Sequence, residues 1–351
     1  MDRLLLFIAI FFLLLLNACQ TDTPVNTEAT TPAKIRIAFG SCANQDKPQP
    51  LLNVAAQLQP DAFIFLGDNI YGDTRIMDTL QAKYNRLAAK SEFKNLWNST
   101  KVLAIWDDHD FGENDAGRHY PFKEASKAVF MDFWQVPTTS DRHQHEGIYG
   151  VEYLEKAGKK VQLLLLDTRT FRDDLLHRDS TDTNHKNDYV PNQNPDSTIL
   201  GTQQWQWLEQ QLQQPADLRI IASSIQFSHE YNGWESWTNV PHEQQRMIDL
   251  IKKTKANGVL FISGDVHWGE ISKMRVDGGY PLYDVTSSGI TQTWDVIEPN
   301  KNRIGSAVPQ NNVGLIEVVF AKDATVALSI IDGTKQKMMT HRLPLEELKF
   351  Q

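Results

Sequence analysis

Four apolar, strand-like runs in this chain stop abruptly at residues that bind metal ions. Ile35–Phe39 leads into Gly40-Ser41-Cys42, and Ala62–Leu66 leads into Gly67-Asp68-Asn69-Ile70-Tyr71. Val102–Trp106 leads into Asp107-Asp108-His109-Asp110, and Val259–Ile262 leads into Ser263-Gly264-Asp265-Val266-His267. Carboxylate, imidazole, thiolate and phenolate are donors for transition metals and hard cations. Where strands run parallel, their C-terminal ends share one edge, and α/β folds place active sites there. Four such clusters at four strand ends predict one assembled metal centre, and metal-assisted hydrolysis is the chemistry it would perform.

Each cluster has its own logic. Asp68 lies just past a strand end, and its two oxygens can each take one cation. Gly67 and Gly72 permit tight turns around it. Tyr71, three residues on, can bring a phenolate to the same metal, and that hard donor suits ferric iron. Asp265 and His267 are two apart, so at a strand end they are expected to point the same way. Three carboxylates packed around His109 repel unless a cation, a basic partner or solvent relieves them. Asp108 and His109 are selected there, one as ligand and one as acid or phosphate contact. Asn114 and Asp115 either add a ligand or orient His109 from behind. Cys42 is either a small buried side chain or a thiolate ligand, and its place after a strand favours the ligand. Arg169, in Asp167-Thr168-Arg169, either clamps a phosphate or pairs with a carboxylate to hold the fold; the structural role is favoured. His229 is a candidate fifth strand-end ligand, although a lone His is more often structural.

These residues need a scaffold. From Lys34 on, strand and helix patterns alternate. Helices are expected over Leu51–Leu58, Ile76–Lys90, Phe122–Trp134, Gln203–Leu212 and Val240–Lys255, the last with Pro241 in its first turn. Tyr149–Leu154 and Val161–Leu166 read as a hairpin across Ala157-Gly158-Lys159, and Leu218–Ala222 as a further strand. After Ile262 the pattern changes to strands without helices: Glu270–Val276, Leu282–Thr286, Val313–Val319 and Ala324–Ile331. Such a run implies a second, largely antiparallel sheet packed on the first in a layered sandwich. Polar residues 180–197 read as a solvated loop, with a lid over the cleft as the alternative.

At 351 residues with 41% hydrophobic residues, the chain can bury a sizeable core. Its formal net charge of −9 argues against nucleic-acid binding through phosphates. A phosphate ester remains possible, because bound cations invert the local field. Arg3 precedes an unbroken apolar run, Leu4–Leu16, too short to span a bilayer. Leu16-Asn17-Ala18-Cys19 resembles a bacterial lipobox. Residues 1–18 are therefore expected to be a lipoprotein signal peptide. Lipidated Cys19 would follow, with Gln20 directing the protein to the outer membrane. A Thr- and Pro-rich tether would extend to residue 33, ahead of a domain over 34–351. The expected protein is an exported, monomeric, periplasm-facing lipoprotein whose membrane contact is its N-terminal lipid.

Taken together, Phe39-Gly40-Ser41-Cys42, Gly67-Asp68-Asn69-Ile70-Tyr71, Trp106-Asp107-Asp108-His109-Asp110, Leu166-Asp167-Thr168-Arg169, Leu200-Gly201 with Gln204-Trp205 and Trp207-Leu208, and Gly264-Asp265-Val266-His267 resemble the PhoD-type alkaline phosphatases. These belong to the calcineurin-like metallophosphoesterase superfamily. The resemblance covers most of Lys34–Thr293. It implies an α/β fold, an αββα four-layer sandwich of two mixed β-sheets flanked by helices. It also implies a centre holding Fe(3+) with Ca(2+), with Cys42, Asp68, Tyr71, Asp265 and His267 as ligands. Asp108-His109 would take the place of the superfamily's Asn-His pair. Two features differ. Lys34 starts almost at the first motif, so no long N-terminal β domain is expected, and Cys42 stands where most of the superfamily has an Asp-x-His pair. The activity implied is release of phosphate from small-molecule monoesters by attack of a metal-bound hydroxide. The alternatives are a phosphodiesterase or phospholipase on the same centre, for which Trp234, Trp237 and Trp294 would supply an apolar wall, and a non-enzymatic calcium-binding surface lipoprotein. The last would leave Cys42, Tyr71 and His267 without a purpose.

Overall fold

A computed structural model describes residues 32–351. The expected signal peptide (1–18), Cys19 and the expected tether up to residue 31 lie outside the described residues. The first strand, β1 (Ala33–Gly40), is followed by α1 (Pro50–Gln57), β2 (Ala62–Leu66), α2 (Met77–Ala89), α3 (Ser91–Ser99) and β3 (Lys101–Ile105). The short α4 (Asp108–Phe111) and α5 (Lys123–Phe133) precede the hairpin of β4 (Gly150–Lys156) and β5 (Lys159–Leu165). A two-stranded ribbon, β6 (Leu176–His177) with β7 (Tyr189–Val190), then leads to α6 (Gly201–Leu212) and β8 (Leu218–Ala222). Next come α7 (Pro241–Thr254), β9 (Val259–Ser263), β10 (Gly269–Met274) and β11 (Leu282–Ser287). The chain closes with β12 (Asn312–Phe320), β13 (Thr325–Asp332) and β14 (Lys337–Pro344).

Two six-stranded sheets result, ordered β14-β13-β12-β1-β2-β3 and β10-β11-β9-β8-β5-β4. In the first, β1, β2 and β3 are parallel and β12 to β14 antiparallel. In the second, β5, β8, β9 and β11 are parallel, with β4 and β10 as antiparallel edges. The sheets pack face to face, with helices outside both, as an αββα sandwich. The late strands do not form a sheet of their own, contrary to the expectation from their uninterrupted run. β12 adds to the free edge of β1, and β10 and β11 complete the other sheet beside β9. Both sheets thereby become mixed, and each keeps a parallel block whose ends can host the site.

Burial explains why the central strands are legible. β2, β8 and β9 are buried at every residue, covered on both faces, so they read as continuous apolar runs. Each fully buried Phe or Ile of β2 contributes about 1.5–3 kcal/mol by leaving water. The edge strand β14 has only Leu343 buried and carries Lys337, His341 and Arg342, which discourage pairing with another chain. It was not expected from sequence, for the same reason. Helix α3 was also missed: its buried residues are only Phe93 and Leu96, a short stripe. Helix α7 begins with Pro241 as expected.

Two glycines let the strand ends approach one another. Gly67 has φ +97°, and a Cβ there would lie 2.4 Å from Asp107 Cβ. A Cβ on Gly264 would lie 2.4 Å from Ser41 Oγ. These are the crossing points between β2 and β3, and between β9 and β1. No helix of the described residues is long and apolar enough to cross a membrane.

Candidate metal centre

Cys42 follows β1, Asp68 and Tyr71 follow β2, Asp107 to Asp110 follow β3, and Asp265 and His267 follow β9. Backbone bonds stitch these ends together. Ala43 N donates to Asp68 O at 2.8 Å, Gly264 N to Ser224 O at 2.9 Å, and Trp294 N to His267 O at 3.1 Å. Three donor groups result, each with its atoms within 4.8 Å of one another: Cys42, Asp68 and His267; Asp68, Asp108 and His109; Asp107, Asp108 and Asp265. Asp68 is shared by the first two groups and Asp108 by the last two. Tyr71 joins the first group, its OH 3.3 Å from His267 Nε2.

Several observations fit cations at these groups. Asp68 Oδ1, Asp107 Oδ2 and Asp108 Oδ1 are buried with no hydrogen-bond partner, a costly state for carboxylate oxygens without a compensating charge. Burial raises Asp68, and the Asp108 carboxylate raises it further. Burial likewise raises the Cys42 thiol, the Tyr71 phenol and Asp265. These acids ionise together only if positive charge enters the group. Cys42, Asp68, Asp265 and His267 all hold left-handed backbone, with φ of 62°, 49°, 71° and 62°. Four non-glycine residues kept there mark strain retained at a site.

The two histidines differ. Burial and the charge of His109 push His267 down to about 4, so it is the neutral imidazole a metal requires. For His109, burial opposes the charge, but Asp68, Asp73 and Asp108 outweigh it and lift it to about 10. His109 Nδ1 lies 2.7 Å from Asp73 Oδ1, and its Nε2 has no hydrogen-bond partner among the described residues. Asp108 is held down to about 2: burial opposes this, and Arg169 and His109 prevail. Between the neighbouring aspartates, Asp108 lines the cleft. Asp107 is turned inward, its Oδ1 accepting from Arg169 Nε at 2.6 Å and Ser224 Oγ at 2.6 Å.

Other candidates sit elsewhere. Arg169 is fully buried and does not line the cleft. It binds Asp107 and, at 2.7 Å, Glu235, so the structure pairs it with carboxylates behind the site. His229 belongs to none of the three donor groups. Its Nδ1 meets Glu230 O, and its Nε2 lies 3.3 Å from buried Glu270. Asn114 lines the cleft, its Nδ2 donating to Asp115 Oδ2 at 2.8 Å. Trp234 and Trp294 line the cleft, but Trp237 is buried and donates to Ser223 Oγ. Asp265 and His267 do not act as a strand pair. They lie beyond β9 in left-handed turns and enter different donor groups, so the two-residue period does not govern them. Loop 180–197 reaches the site, since Asp188 and Tyr189 line the cleft.

Sequence reasoning assigned no role to Asp73, Glu235 or Ser288. Ser288 Oγ lies 3.1 Å from Cys42 Sγ and accepts from His267 N at 2.8 Å. Glu235 joins Arg169 to Arg172, whose Nε is 2.9 Å away. Asp73 was visible in the Gly67–Asp73 loop, but its partner His109 is 36 residues on.

A family model described as PhoD-like phosphatase matches residues 37–312. The chain belongs to the PhoD-like phosphatase family. Alkaline phosphatase D of Bacillus subtilis (strain 168) is 26% identical over 314 residues, covering 76% of this chain and 52% of that protein. The PhoD-like chain thus spans about half the length of this curated relative. A solved structure of PhoD superposes with TM-score 0.72 at 17% identity, over 92% of this chain and 72% of that one. A dimetal phosphatase from Danio rerio superposes with TM-score 0.52 at 12% identity, over 90% and 99%. The fold of this PhoD-like chain is that of the metallophosphoesterases.

Proposed function

We propose that the chain is a metal-dependent phosphoric ester hydrolase that releases phosphate from monoesters. The observation that carries this reading is the pair of shared carboxylates: Asp68 and Asp108 link three adjacent donor groups on the floor of one cleft of about 220 Å³. A non-enzymatic calcium site would use hard oxygen ligands such as carboxylates and carbonyls. It gives no reason to bring Cys42, Tyr71 and His267 beside Asp68.

Cys42, Asp68, Tyr71 and His267 form a donor set suited to ferric iron, and the carboxylates of Asp107, Asp108 and Asp265 suit a hard cation such as calcium. Bound cations would neutralise phosphate oxygens and acidify water for attack on phosphorus. The chain's own residues do the rest. His109, oriented by Asp73, supplies a hydrogen bond to phosphate or a proton to the departing alkoxide. Ser288 orients both Cys42 and His267. Arg169 holds Asp107 from behind, with its NH2 group 3.9 Å from Asp108.

Purified protein assayed on p-nitrophenyl phosphate and its bis ester tests this. A higher kcat/KM on the monoester is expected. A higher value on the bis ester would instead support a diesterase, the reading favoured by the indoles of Trp234 and Trp294 on the cleft wall. Turnover of neither would sink hydrolysis. Iron has a separate test. Ferric phenolate and thiolate ligation produces visible charge-transfer absorption, whereas zinc and calcium have no such transition. Tyr71→Phe should remove or shift the band and lower turnover with it. A colourless, fully active enzyme holding only zinc or calcium would refute the iron assignment.

A further inference from the structure

The cleft has an outer half that the donor groups do not use. Three chain segments build it. Tyr189 N and Asp188 N donate to Gly233 O at 2.9 and 3.1 Å, tying the β7 segment to the loop that carries Trp234. Glu298 accepts from Lys186 Nζ at 2.7 Å and from Asn187 Nδ2 at 2.9 Å, tying the same segment to the loop that carries Trp294. The Trp234 and Trp294 rings lie 5.2 Å apart, and Trp294 packs edge-on against His267 at 4.9 Å. An aromatic wall therefore rises directly beside the donor groups, held by contacts independent of any ligand.

Charge decides what this wall fits. No Lys or Arg is among the described residues lining the cleft. Lys186, two residues from Asp188, is paired with Glu298, and Lys47, outside the lining, donates to Gln292. Glu235 is neutralised by Arg169 and Arg172. Asp68, Asp108 and Asp265 face the donor groups. Asp115 and Asp188 remain. Neither carboxylate group has a cationic side-chain atom within 4.0 Å among the described residues, Arg172 donating to the main-chain oxygen of Asp115 and not to its carboxylate; Asp115 Oδ2 accepts only from Asn114 and from the Tyr189 hydroxyl. An anionic leaving group, such as one bearing further phosphates, would be repelled there. A neutral apolar group would satisfy the indoles but desolvate two uncompensated carboxylates. A cation satisfies both, lying against an indole face with a carboxylate beside it.

We infer that the outer cleft recognises a positively charged alcohol, so that the preferred substrates are phosphate esters of amino alcohols bearing an ammonium or quaternary ammonium group. This rests on the hydrolase reading above. In the reaction, water oxygen bonds to phosphorus and the bond from phosphorus to the amino-alcohol oxygen breaks. That oxygen leaves with a proton, giving inorganic phosphate and the free cationic alcohol.

The test compares phosphocholine with 3,3-dimethylbutyl phosphate, which has the same shape with carbon in place of nitrogen. Phosphocholine should have a kcat/KM about tenfold higher or more. Trp294→Ala and Asp188→Asn should each bring the ratio towards one. A second readout needs no turnover: choline should change indole fluorescence at concentrations where 3,3-dimethylbutan-1-ol does not, and Trp294→Ala should abolish the difference. Equal kcat/KM values together with equal fluorescence titrations would overturn the inference while leaving the hydrolase reading intact. If p-nitrophenyl phosphate is not hydrolysed either, hydrolysis fails, and the fluorescence titration still decides the subsite.

Discussion

Asp68→Ala is expected to lose bound metal and to lower hydrolysis by about 10²–10³-fold or more, because one carboxylate serves two adjacent donor groups. The same substitution should leave metal-free protein folded and no less stable. Asp68 has a buried, unpartnered oxygen and repels Asp108, so its removal relieves a cost that offsets the loss of its hydrogen bond from Cys42 Sγ at 3.5 Å. Thermal unfolding of the metal-free variant and wild type separates the two effects. A variant with normal metal content and turnover, or one that fails to fold, would place Asp68 in the scaffold and not in the site.

Arg169→Ala is expected to do the reverse. The guanidinium is fully buried between Asp107 and Glu235, so its loss leaves Asp107 without a cation and Glu235 with Arg172 alone. Breaking a buried pair in this way costs about 3–5 kcal/mol, and denaturant unfolding should show it. Arg169→Lys should recover only part, because a single ammonium cannot reproduce the planar fork that reaches both carboxylates. Unchanged stability with a raised KM would instead identify Arg169 as a phosphate clamp, the other role its place after β5 allows.

The strand ends were legible because β2, β8 and β9 are buried on both faces and so appear as unbroken apolar runs that stop at polar donors. The helices with wide apolar stripes were legible for the same reason, whereas α3 and the edge strand β14 bury too little to leave a period. Strand order was not legible. Nothing local in β12 says that it pairs with β1 and not with β11. At the site, residue types were readable, but their grouping was not. Asp265 and His267 look like one two-ligand module, and left-handed turns send them to different groups. Asp73 with His109 and Ser288 with Cys42 meet only through the fold, and Asp188 and Trp294 come to line one cleft, at separations no local pattern records. Partners, too, became visible only in the fold: Asp107 Oδ1 is held by Arg169, and Asp108 lines the cleft.

The central claim is that the clustered strand-end residues hold metal ions on which hydrolysis depends. Elemental analysis of the purified chain, paired with p-nitrophenyl phosphate turnover before chelation, after chelation and after metal return, measures this directly. The account predicts more than one metal ion per chain, loss of turnover as the ions leave, and recovery as they are restored. Full turnover by protein stripped of metal would contradict it.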